Sequence, residues 1–168
     1  NNMASGFQAM SSGTNTGDYN SASGYQSMYS NTSGAYNIAS GYHSMHSNTT
    51  GDYNTASGYA ALYSNTTGDY NVASGYQALL SNTTGSYNVA SGYQALGGAT
   101  NTGDYNVASG YKALYANTTG SNNTASGNSA LSSNTTGTFN AAFGAAALRD
   151  NTTGSYNTAV GVNTLLKT

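Results

Sequence analysis

The chain has 168 residues, of which only 5% are charged, and a net charge of −2. Leu, Ile, Val and Phe together number 18, too few for an ordinary globular core, and Gly (22) and Tyr (16) dominate alongside Ala, Asn, Thr and Ser. Three cations (Lys112, Arg149, Lys167) exclude a basic nucleic-acid binder, the lack of cysteine excludes disulfides and thiolate metal sites, and no apolar run is long enough for a membrane-spanning helix.

One phrase recurs from end to end, reading YNVASGYQALLSNTTGS over 70–86. Its central glycine falls at Gly6, Gly24, Gly41, Gly58, Gly75, Gly92, Gly110, Gly127, Gly144 and Gly161. The spacing is 17 residues, with 18 between Gly6 and Gly24 and between Gly92 and Gly110. Both longer copies place the extra residue before the turn, which marks that place as a loop. Residues 1–168 therefore read as a single array of about ten coils with no linker. Opening at Asn1, the array reads as a piece of a longer protein.

Within each coil the elements follow in a fixed order. The stretch YNVASGY predicts a short strand, QALYS a second, and SNTTGD a turn. A helix is disfavoured by the glycine inside every apolar stretch and by the absence of Glu. Short strands stacked in register make an all-β, repetitive β-solenoid or β-roll of 17-residue coils. Two columns never vary in size and are assigned to the interior: the Ala of the ASG triplet, and the Met or Leu four residues past its glycine. Aromatic columns run through Phe7 to Tyr111 and through Tyr19 to Tyr105, the second resuming at Phe139 and Tyr156. Asn20, Asn37, Asn54, Asn71, Asn88 and Asn106 can pair amide to amide along the axis. So thin a coil predicts several chains packing together, most economically as a parallel trimer. A lone solenoid with an internal Tyr ladder satisfies the same columns.

Candidate sites are few. Asp18, Asp52, Asp69 and Asp104 follow the turn glycine and read as turn formers, with Asp52 and Asp69 adjacent but joined by no base or nucleophile. His43 and His46 would need further ligands to hold a metal, so no metal, cofactor or catalytic group is assigned. Met10, Met28 and Met45 fill the Leu column. The recurring signal is N-x-[S/T], at Asn31, Asn48, Asn65, Asn82, Asn117, Asn122, Asn134 and Asn151. Seven of these lie at the same turn, where exposure would suit a glycan and where Asn and Gly also favour the turn itself. Paired threonines such as Thr66 and Thr67 invite an ice-binding reading, but adjacent strand residues face opposite sides and leave one outward column.

The phrase N-x-A-S-G-Y-Q-A-L, as in 71–79 and 88–96, resembles the head repeats of YadA-like trimeric autotransporters. It is closer still to the NTALGYQAL-type arrays of phage tail fibres and bacterial surface proteins. The resemblance covers all ten coils and implies a left-handed parallel β-roll with three chains side by side. It departs from the autotransporter pattern in its longer turn and in Ser where that family has Ile or Leu, with only Phe143 and Val160 apolar there. The expectation is a non-enzymatic, structural or adhesive fibre segment displayed extracellularly, on a cell surface or a virion. Its partners would be copies of itself and a host surface glycan or receptor, with no nucleic acid and no membrane insertion. The alternative is a glycosylated, secreted filament subunit that polymerises end to end.

Overall fold

The computed structural model describes residues 1–11, 13 and 15–166; Ser12, Thr14, Thr168 and Lys167, one of the three cations, lie outside the described residues. Ten three-residue strands follow one another: β1 (Met3–Ser5), β2 (Ser21–Ser23), β3 (Ile38–Ser40), β4 (Thr55–Ser57), β5 (Val72–Ser74), β6 (Val89–Ser91), β7 (Val107–Ser109), β8 (Thr124–Ser126), β9 (Ala141–Phe143) and β10 (Thr158–Val160). They pair in parallel and in chain order, so each coil makes one turn of a β-solenoid. Ala4 lies against Ala22, Ala73 against Ala90 and Ala142 against Ala159. The period-2 alternation of a strand puts this Ala inside and the residues on either side of it out. The Ser column thus faces water, which removes the cost that a buried hydroxyl row would carry.

One strand per coil is observed where two were expected. The QAL stretch is a turn, because Gln77 (φ 54°) and Leu79 (φ 51°) are left-handed and stand on either side of Ala78. Their N–H groups consequently point to opposite neighbours. Gln77 donates to the Tyr59 carbonyl of the previous coil, and Leu79 to the Ala95 carbonyl of the next. The segment still bonds along the axis, without the alternating faces of a strand.

A single chain encloses its own core. Met28, Met45, Leu62, Leu79, Leu96, Leu114, Leu131 and Leu148 are buried, flanked by the Ala column of the strands and by a second small-residue column (Ala61, Ala78, Ala95). Each fully buried Leu contributes roughly 1.5–3 kcal/mol, so one aliphatic per coil is a thin apolar core. The rest of the interior is asparagine. Two Asn columns are buried, Asn20 to Asn140 before the strands and Asn31 to Asn151 at the turns.

Both columns converge on the turn glycine. The Gly51 carbonyl accepts Asn37 Nδ2 (2.8 Å) and Asn48 Nδ2 (3.0 Å). Gly85 likewise accepts Asn71 and Asn82, each at 2.9 Å. In the first column the Asn Oδ1 accepts the backbone N–H of its counterpart one coil on, as Asn54 Oδ1 does from Asn71. The amide-to-amide ladder expected for that column belongs chiefly to the second, where Asn65 Nδ2 donates to Asn48 Oδ1 (2.9 Å) and Asn82 Nδ2 to Asn65 Oδ1 (2.9 Å). Among the described residues no buried side-chain N or O lacks a partner.

The two 18-residue coils preserve this arrangement. They lengthen the chain between the core Met or Leu and the ladder Asn, and shorten NTTG to NTG. Asn15 and Asn101 thereby enter the second column, where Asn31 and Asn117 donate to them at 3.1 and 2.9 Å.

The turn glycines are required by space. A Cβ on Gly51 would lie 2.5 Å from the Gly68 carbonyl oxygen and 2.6 Å from Asn48 Oδ1. Gly51→Ala should therefore cost roughly 2–3 kcal/mol, at the upper end of single substitutions. Ser57→Ala, on the outer face, should stay within about 0.5 kcal/mol. Urea unfolding of the two variants checks the contrast.

Candidate functional surface

With Ala, Leu and Asn inside, the aromatic columns stand outside. Tyr19, Tyr36, Tyr53, Tyr70, Tyr87 and Tyr105 stack in one ladder with centroids 4.8–5.0 Å apart. Phe7, Tyr25, Tyr42, Tyr59, Tyr76, Tyr93 and Tyr111 form a second, at 5.0–5.5 Å. The coil rise of the sheet sets this spacing. Within a ladder each ring covers its neighbours' faces, so edges and hydroxyls are what the ladders offer to solvent.

The strands run between the two ladders. Ile38, Val72, Val89 and Val107 are exposed there beside the Ser column. None of the columns of this face carries a charged side chain among the described residues. The result is an uncharged sheet face, part apolar and part hydroxyl, edged on both sides by tyrosine.

The residues of the first ladder are left-handed, Tyr70 at φ 55° and Tyr87 at φ 59°. That conformation costs a non-glycine residue roughly 1–2 kcal/mol. Stacking on both faces, at about 0.5–1.5 kcal/mol per pair, offsets it. Where the ladder lapses, Asn122 (φ 59°) takes the position, and Asn is among the residues that tolerate this conformation best.

The sequon residues separate into two groups. Asn31, Asn48, Asn65, Asn82, Asn117, Asn134 and Asn151 are the buried second column, their Nδ2 atoms committed to the ladder. A turn position does not expose them. The threonines after them divide as the spacing predicts: Thr66 Oγ1 donates to the Thr83 carbonyl (3.1 Å), and Thr67 faces out. Asn122 alone of the eight is exposed.

The turn aspartates act along the axis. Asp69 Oδ1 accepts the Asp52 N–H (2.7 Å), and Asp104 Oδ1 accepts the Ser86 N–H (2.7 Å). Ser86 Oγ serves the Asp69 N–H in the same way (3.0 Å), so Ser can stand in for Asp in this column. The histidines are rungs as well. His46 lies between Tyr29 and Tyr63, with centroids 5.3 and 5.0 Å away, and His43 Nε2 meets Gln26 Oε1 at 2.9 Å. Burial, and then the neighbouring His43, hold the His46 pKa below its ordinary 6.5. Lys112 rests its ammonium over Tyr111 and Tyr115. Among the described residues no three His, Asp or Glu side chains converge as metal ligands.

Tyr70 titrates above its ordinary value of 10 because stacking strips water from it, and because Tyr53, Tyr87, Asp69 and Asp52 oppose a further negative charge. In the unfolded chain it ionises near 10, so between the two values the unfolded state holds fewer protons. Its contribution is complete below about pH 10 and is lost as pH rises through the folded value. A pH titration followed by circular dichroism should show unfolding at alkaline pH, with its onset moved upward in Tyr70→Phe.

No protein family, curated protein or solved structure matches this chain.

Proposed function

We infer that the chain is a structural segment of an extracellular fibre, the shaft or head of a surface adhesin or tail fibre, and that it catalyses nothing. The observation that carries this reading is the axial continuity of the hydrogen bonding. Backbone, asparagine, threonine and aspartate columns all bond from coil to coil, and the two longer coils keep the asparagine ladder unbroken. Tension along the axis is thereby shared by many equivalent rungs in every coil, which is what a stiff spacer needs.

The low charge and the uncharged sheet face support self-association. Exposed Ile38, Val72, Val89 and Val107 hold the same position in four of five successive coils, with Thr55 between the first two, so a second copy laid alongside in register meets an apolar strip over that stretch. Three such faces closing on one another give the parallel trimer. A receptor or glycan on a host surface would meet rows of tyrosine hydroxyls at the coil spacing. A coat of sugars on the NTTG turns, as the filament reading requires, conflicts with the burial of those seven amides.

Native mass spectrometry tests the association. About three chain masses are expected, reduced to one by the double variant Val72→Lys, Val89→Lys. Very large and heterogeneous assemblies would favour end-to-end filaments. A wild-type chain that is monomeric at all concentrations would overturn the association.

A further inference from the structure

We propose that Asn122 is an N-glycosylation site whose first sugar lodges between Tyr105 and Phe139 as the missing rung of the tyrosine ladder. Asn122, Asn123 and Thr124 form the sequon, and Asn122 is its one exposed amide bearer among eight candidates. Its backbone N–H bonds the Asp104 carbonyl at 3.0 Å, which fixes the residue in the column while the side chain points away from the core.

The surroundings of Asn122 differ from those of every other sequon. The first ladder ends with Tyr87 and Tyr105 (4.8 Å) and resumes with Phe139 and Tyr156 (5.1 Å). Tyr105 and Phe139 are thus two coils apart, about 10 Å, with Asn122 as the floor between them. Elsewhere that interval is filled by one six-membered ring, as Tyr70 fills it between Tyr53 (4.9 Å) and Tyr87 (5.0 Å). The open faces register in the exposures: Tyr105 is 55% and Phe139 50% exposed, against 45% for Tyr53, Tyr70 and Tyr87.

A pyranose carried on Nδ2 suits this slot. Its anomeric carbon is as many bonds from Cα as the Cε of a tyrosine, so the sugar reaches the level of the outer halves of the flanking rings. Its C–H faces are apolar and would cover the two open aromatic faces. In the transfer, a C1–N bond forms at Nδ2 as the C1–O bond to a lipid-linked phosphate donor breaks. The carrier leaves as its phosphate and the amide proton passes to solvent, with no change of oxidation state.

The proposal rests on display outside the cell, and the test separates the two. The chain is secreted from a eukaryotic host that glycosylates a co-expressed sequon-bearing reporter, and peptide mapping locates each sugar. Because the host supplies the route, an unmodified Asn122 counts against the site and leaves display outside the cell untouched. One glycan per chain on Asn122, lost in Asn122→Gln, is expected. Sugar on the folded chain at Asn48, Asn65 or another ladder asparagine would overturn the proposal, as would none at Asn122. Ring-current upfield shifts of the first sugar's C–H protons, abolished by Tyr105→Ala with Phe139→Ala, are expected; unshifted protons would contradict the stacked placement.

Discussion

The turn-glycine carbonyl, held by two buried asparagine amides, is the interaction on which the other features of this solenoid depend. An interior with one aliphatic side chain per coil cannot order the backbone by apolar burial alone. The asparagines complete it because the oxygen and the nitrogen of each buried amide find a partner in the same or an adjacent coil. A net hydrogen bond contributes only about 0.5–1.5 kcal/mol, but a buried amide left unpaired costs about 1–3 kcal/mol. The ladder is therefore a specifying device: a coil shifted by one residue would strand two amides and drive the turn glycine into its neighbour.

The outer surface follows from that interior. With Asn, Ala and Leu inside, the large aromatics have nowhere to go but out, and the coil rise brings them into stacking distance. Stacking in turn supports the left-handed residues from which the chain is bent. Gln77, Leu79 and Tyr87 are all left-handed within one repeat, a local cost accepted again and again along the chain. Repetition makes this workable, since each strained residue has a left-handed residue at the equivalent position of the neighbouring coils, as Gln77 has Ala60 and Gln94. Low charge is consistent with the same geometry. A charge repeated at every coil would face its like at about 5 Å, and in the Asp column only Asp52 and Asp69 stand in consecutive coils, with Ala35 and Ser86 separating them from Asp18 and Asp104.

The period, the parallel stacking and the two invariant interior columns were legible in the sequence because burial limits size, and a repeat displays that limit ten times over. The second strand was not legible. QALYS has the composition of a strand, and nothing in its letters shows left-handed backbone at Gln77 and Leu79. The sequons misled for a related reason. NTTG is a turn by composition, and turns are ordinarily exposed, yet here the first residue of the turn faces in. The signal that distinguishes the two cases lies in the longer coils, where Asn15 and Asn101 keep the column although NTG is no sequon. Retaining Asn while losing the sequon points to the amide ladder. Asn122 could be singled out only once its neighbours in the aromatic column were seen to stack without it.

Hydrogen exchange of the asparagine side-chain amides tests the ladder most directly. In a chain labelled with 15N only at asparagine, the Nδ2 protons of the two buried columns should exchange as slowly as the backbone amides bonded between coils. The exposed Asn122 and Asn128 should exchange at the rate of a free amide. Uniformly fast exchange of every asparagine side chain, with the fold intact, would contradict the account.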